Sequence, residues 1–394
     1  MKTMRKIFRG LVIFLLCLLL IVNLFILISG KTYLYKAVAN TYLKGRGGPG
    51  IDEYQIFENR KVNSGPVQEW PLGKNYNDSS LNSLTRSQMK KHERLETVAF
   101  LVIKNDSIRF EKYWDGYGEQ SLTNSFSMGK TFVSIMVGIA IKEGKIKNED
   151  QPVGDFIPEF SKGGNAKLTI SHLLTMSSGI NFDEDYNNPL AFPAQAYYGT
   201  DLEKLVFKYK MTEEPGKVFK YLSGNTALLG MVLEKATGKH ISEYASEKLW
   251  IPMGAKMPAF WSLDHKAGLE KAYCCFNSNA RDFARFGQLY LDSGRWKGTQ
   301  LVPQDYVLKS IQLAGLKDDD GKANERYGYS WWILPEYKGH YIYYARGILG
   351  QYIIVIPDLK MVIVRLGRKR EAEKKHDHPV DLFDYIDAGI KVAG

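Results

Sequence analysis

Clear strand patterns stand near both ends of the 394-residue chain, with helical patterns between them. Val98–Lys104 (VAFLVIK) reads as a strand and Asn105-Asp106 as a turn. Ser107–Trp114 alternates apolar and polar residues, which makes it the partner strand of a hairpin. A second group follows far downstream: Tyr341–Arg346, Tyr352–Pro357 and Met361–Leu366, with Val380–Ala393 as a closing helix. Helical stretches lie between, at Ile170–Met176, Asp201–Lys208, Asn225–Ala236, Ser242–Leu249 and Ala280–Asp292. This arrangement predicts an α/β (α+β) fold. One antiparallel sheet is built from both chain ends, helices flank it, and a helical subdomain is inserted.

The N-terminus is a separate problem. Leu11–Ser29 carries no charge and is long enough to approach the ~30 Å hydrocarbon core of a bilayer. A cleaved signal peptide would have a shorter apolar run ending in a small-x-small site, so an uncleaved anchor is favoured. Lys2, Arg5, Lys6 and Arg9 precede the run. They predict a cytoplasmic segment 1–10, a span 11–29 and an extracytoplasmic remainder. Residues 30–94 are rich in turn signals (Gly45–Gly50, Asn63–Pro66, Asn75–Ser80) and read as a tether with a surface-lying extension. The catalytic domain is expected at 95–394. The net charge of +10 is partly concentrated at the two ends and lacks a basic run interleaved with aromatics, so nucleic acid is not expected as a partner. The three cysteines show no disulfide framework and no metal-ligand spacing; adjacent Cys274 and Cys275 are expected unpaired, as small core residues.

The segment Asn124–Thr131 (NSFSMGKT) has two readings. Gly-Lys-Thr ends a phosphate-binding loop, but such a loop needs a glycine where Asn124 stands and a strand just before it. Both are missing. Ser127-x-x-Lys130 at the start of an amphipathic helix fits better. Residues three apart share a helix face, the helix N-terminus favours negative charge, and a neighbouring base activates a serine hydroxyl. No Gly-x-Ser-x-Gly elbow of an α/β-hydrolase occurs.

Three further segments keep Ser127-x-x-Lys130 company: Leu168–Gly179 (LTISHLLTMSSG), Pro215–Gly230 (PGKVFKYLSGNTALLG) and Arg346–Tyr352 (RGILGQY). In this order they resemble the serine beta-lactamase and penicillin-binding protein superfamily, and within it the class C beta-lactamase-related hydrolases. That branch includes serine esterases and 6-aminohexanoate-oligomer hydrolases. The resemblance implies a beta-lactamase-like fold and a hydrolase without metal or cofactor, acting on an ester or amide. It implies Ser127 as acylated nucleophile, Lys130 as its activator and Tyr221 as general base with its pKa lowered by Lys130. Ser223 would contact Lys130 or the substrate. Gly350 would lead into Gln351, whose backbone N–H would complete an oxyanion hole with that of Ser127. The third motif, Lys-Thr-Gly or His-x-Gly in the family, is Ile348-Leu349-Gly350 here. That departure keeps two alternatives open: a penicillin-recognising D-Ala peptidase or beta-lactamase, and a non-catalytic sensor or binding module.

Other residues are read more plainly. His172 is expected to be a helix residue satisfied by backbone, and His340, His376 and His378 to be solvated. Tyr186, Tyr197 and Tyr198 are weighed as cleft lining against ordinary packing. Trp331-Trp332 is read as a strand pair, more often core than pocket wall.

Overall fold

The computed structural model describes residues 2–78 and 83–394; the end of the predicted Asn75–Ser80 turn lies outside them. Helix α1 (Lys2–Ile28) takes in the basic residues as well as the apolar run, because nothing in that stretch breaks a helix. An 18-residue window within it has a mean hydropathy of 3.4, and the helix is long and apolar enough to cross a bilayer. A short helix α2 (Tyr33–Asn40) follows. The segment read as a tether then adds strand β1 (Asn59–Val62) and helix α3 (Arg86–Arg94). Thr85 and Gln88 cap α3 reciprocally, each side chain bonding the other's backbone.

Strands β2 (Thr97–Lys104) and β3 (Ser107–Tyr113) form the expected hairpin. A two-residue strand β4 (Thr123–Asn124) leads into helix α4 (Met128–Lys142), and Gly144, φ 67°, closes it. The inserted helices are α5 (Ile170–Leu174), α6 (Phe192–Tyr198), α7 (Leu202–Lys208), α8 (Ser223–Thr237) and α9 (Ile241–Ala245). Next come β5 (Ala259–Ser262), β6 (Phe276–Ser278), α10 (Ala280–Leu291), the small pair β7 (Arg295–Trp296) and β8 (Thr299–Gln300), and helix α11 (Gln304–Ser310). The chain returns to the main sheet through β9 (Trp332–Tyr337), β10 (His340–Gly347), β11 (Gln351–Ile356) and β12 (Met361–Gly367).

The main sheet is antiparallel throughout, in the order β3-β2-β12-β11-β10-β9. Strands from the two chain ends meet at its centre, with Leu101 opposite Val364. Helix α12 (Val380–Ala393) covers one face, packing Leu382, Tyr385 and Ile386 against Phe100, Ile354 and Ile363. On the other face, Leu101, Ile353 and Val364 join the core that holds α4 and α10. Burial on both faces explains why β2, β11 and β12 are near-continuous apolar runs. A second sheet, β1-β5-β6-β4, was not legible from the sequence. Its strands are two to four residues long, too short to show a period.

Two expectations are corrected. Cys274 and Cys275 are joined by a disulfide rather than unpaired; Cys275 sits in the left-handed region, φ 68°, in the turn just before β6. His378 is buried, not solvated: it begins the docking of α12, its Nδ1 lies 2.7 Å from the Tyr344 hydroxyl, and burial lowers its pKa to about 3. His172 caps α5, accepting from the Thr169 amide at 3.2 Å.

Candidate active site

Ser127 sits at the start of α4, after a strained turn. Phe126, just before it, is held at φ 44°, unusual for a bulky residue, and its amide donates to Asn124 Oδ1 at 2.8 Å. Ser125 is tied to β6 by its amide, which donates to the Phe276 carbonyl at 2.9 Å. One turn into the helix, Lys130 Nζ donates to Ser127 Oγ at 3.0 Å and to the Tyr273 carbonyl at 2.9 Å. Lys130 is 1 % exposed and has no ion pair among the described residues. Gly129 lies against the Cys274 backbone, where a Cβ would sit 3.2 Å from the carbonyl oxygen. That closeness keeps α4 pressed onto the Tyr273–Cys274 segment.

Tyr221 stands beside this pair, with Lys130 Nζ 5.1 Å from its ring centroid. Tyr327 and Trp332 brace the ring at 5.8 and 5.1 Å. Ser223, the first residue of α8, is held by an acid that the sequence reading passed over. Its amide donates to Glu184 Oε2 at 2.7 Å and its hydroxyl to Oε1 at 2.5 Å. The Tyr186 hydroxyl donates to the same carboxylate at 2.9 Å. Glu184 precedes the aromatic, Asn/Pro-rich loop, and its sequence signal is an acidic triplet, Asp183-Glu184-Asp185, in that setting.

The third turn is where the site differs most from expectation. Gly347 ends β10 so close to the nucleophile's segment that a Cβ there would lie 2.3 Å from the Ser125 carbonyl oxygen. Ile348 and Leu349 therefore face the cleft beside Ser127. Gly350 and Gln351 do not line it. Gln351 is fully buried, its Nε2 donating to Gly367 O at 2.6 Å. The apolar turn is fixed from behind by Arg365, whose Nη1 donates to the carbonyls of Leu349 and Gly350 at 3.0 and 2.7 Å.

Two openings reach Ser127. One is a broad cleft of about 1170 Å³ that also takes in Tyr221, Trp332, Arg346 and Ile348. Eight cationic side chains and five carboxylates line it. Arg346 stacks on Trp332, its Cζ 3.5 Å from the ring centroid, so Trp332 is a wall of the cleft while Trp331 is core. The other opening is a recess of about 150 Å³ with no charged lining residue. Tyr186, Tyr197 and Tyr198 all line it.

A second buried lysine lies nearby. Lys271, 0 % exposed, donates to the Tyr197 carbonyl at 2.6 Å and packs 4.0 Å from the Phe57 ring centroid. Burial pushes its pKa well below the usual lysine value, and Lys36 adds to this. Glu234, His240 and Glu270 cluster close enough to hold a metal ion, at a distance along α8 from Ser223.

A serine bonded to a lysine at a helix start, in a helical insertion between halves of one antiparallel sheet, defines a serine hydrolase of the beta-lactamase fold. Comparison with known proteins agrees: residues 81–383 match the Beta-lactamase family, and the chain belongs to it. It is 28 % identical over 319 residues to the 6-aminohexanoate-dimer hydrolase of Paenarthrobacter ureafaciens, covering 76 % of this chain and 80 % of that one. Among solved structures, a Bacillus anthracis protein assigned as a 6-aminohexanoate-dimer hydrolase superposes with a TM-score of 0.73 at 24 % identity, covering 87 % and 92 % of the two chains. A family VIII carboxylesterase superposes with a TM-score of 0.63 at 17 % identity, covering 82 % and 99 %. At these identities the structural likeness is one of fold.

Proposed function

We propose that the protein is a membrane-anchored hydrolase that cleaves a linear ester or amide through an acyl-Ser127 intermediate. The observation that carries this is the 3.0 Å bond between Lys130 Nζ and Ser127 Oγ, at a helix N-terminus that both openings reach. In acylation Ser127 Oγ attacks the carbonyl carbon and its proton passes to the Lys130–Tyr221 pair. Tyr221 then hands a proton to the leaving group, for which its hydroxyl must come within ~3 Å of the reacting atoms. Water completes the cycle by the same relay. The developing oxyanion is stabilised by the backbone N–H of Ser127 and, in place of Gln351, that of Ile348, since Ile348 faces the cleft and Gln351 does not. Ser223, clamped by Glu184, orients the substrate or the relay. The apolar helix α1 supports the anchor, and the basic residues before it support a catalytic domain outside the cytoplasm.

The relatives' names favour an amide or ester over a lactam, and Ile348-Leu349-Gly350 removes the polar side chain of the family's third motif. The test is intact-mass spectrometry of the full chain in detergent after exposure to a fluorophosphonate probe and, separately, to a penicillin. A single probe adduct that disappears in Ser127→Ala is expected. An adduct with penicillin as well would move the reading towards a cell-wall peptidase. No adduct from either would leave a binding module.

A further inference from the structure

The uncharged recess behind Ser127 has one wall contributed from outside the matched family region. Ala37, Thr41, Tyr42 and the run Gly47-Gly48-Pro49 line it, and all lie outside the matched residues 81–383. The facing wall comes from the inserted helical region, including Pro189, Pro193 and Ala194. The outer wall is pinned in place. The Tyr33 hydroxyl donates to the Pro189 carbonyl at 2.9 Å, and Lys36 Nζ sits 4.3 Å from the Phe57 ring centroid. Glu53 is bonded by Lys44 at 3.1 Å and by the Gly50 amide at 2.8 Å. A segment so fixed forms part of the site rather than a loose leader.

We infer that the segment following α1 completes an acyl-binding recess, and that this recess selects a straight apolar acyl chain of about four to six carbons. The inference rests on the acyl-Ser127 reading and adds to it the class of acyl group. A volume of about 150 Å³ has room for roughly five groups of the size of a water or methylene. With no charged residue on the lining, a charged acyl chain would be desolvated without an ion-pair partner, while an apolar one gains from leaving water. Each buried methylene is worth about fourfold in binding, so hexanoyl should outrun acetyl clearly.

The experiment uses the full chain in detergent with 4-nitrophenyl esters from acetate to decanoate. The expected parent profile peaks near hexanoate, with kcat/KM at least ~10-fold above acetate and a fall at decanoate. Gly48→Phe adds a ring at a recess-lining position whose Cβ would meet no atom within 4 Å. It should cut the hexanoate-to-acetate ratio to ~2 or less. Gly47→Phe, equally unhindered, serves if the first variant misfolds. Ala194→Phe fills the recess from the opposite wall and should flatten the profile in the same way. An unchanged ratio in the glycine variants overturns the proposal. So does a change confined to Ala194→Phe, which would leave the segment 37–49 outside the site. If the parent turned over no ester at all, the Ser127 reading would fall and this one with it.

Discussion

Lys130 and Lys271 are buried equally, 1 % and 0 % exposed, and each donates to a backbone carbonyl near the same aromatic cluster. They differ in their other partners. Lys130 has the Ser127 hydroxyl as a second partner; Lys271 has the face of Phe57. Burial alone supplies a lysine poised to lose its proton, but chemistry needs a group to pass that proton to or from. Lys271 has its pKa lowered by burial, yet no such group stands beside it. Geometry singles out Lys130.

Four experiments sharpen or break this contrast. The largest effect is expected at Lys130→Met, which should lower turnover of a good ester by ~10³-fold or more, while Lys271→Met stays within about twofold. Equal losses at both positions, in a steady-state assay of refolded, monodisperse protein, would erase the distinction. Next comes Tyr221→Phe, expected to slow acylation by ~10²-fold in stopped-flow measurements. If the burst rate were unchanged, the whole relay would rest on Lys130. Glu184→Gln weakens a charge-assisted clamp on Ser223 and should reduce kcat/KM by about tenfold. An unaltered kcat/KM would make the clamp a purely structural bond.

The smallest effect is on stability. Lys271 has its folded pKa below its unfolded value, so the unfolded chain binds more protons between the two. Stability of the parent therefore rises as pH climbs from neutral towards the ordinary lysine value of 10.5, and Lys271→Met should lack that rise. Melting temperatures of both proteins at pH 7 and 9 test this; parallel changes would contradict the burial argument. His378 acts in the opposite range. With a folded pKa of about 3 against 6.5, it makes the parent lose stability as pH falls between those values.

The frame was legible because its strands are long and sealed on both faces. The ranges read for β2, β3, β10, β11 and β12 each fall within one residue of the observed ends, and α12 coincides. The Ser127–Lys130 spacing was legible because a helix turn enforces it. What stayed hidden depends on contacts across long gaps in the chain. Glu184 reaches Ser223 from a loop whose course no periodicity encodes. Arg365 fixes the Leu349–Gly350 turn from the neighbouring region of the sheet, through side-chain bonds that no local pattern encodes. Residues 37–49 looked like tether because turn-rich composition says nothing about where the turns dock.

The pairing of β2 with β12 has a consequence for synthesis. Strand β2 lies in the first third of the chain, and its inner neighbour begins only at Met361. A ribosome must therefore add about 250 residues after β2 before that strand can find its partner. Until then β2 offers an unprotected edge of buried residues, open to pairing with other chains. The hairpin must wait in that condition for strand β12. Premature termination even shortly before Met361 would leave a stranded hairpin instead of a smaller enzyme.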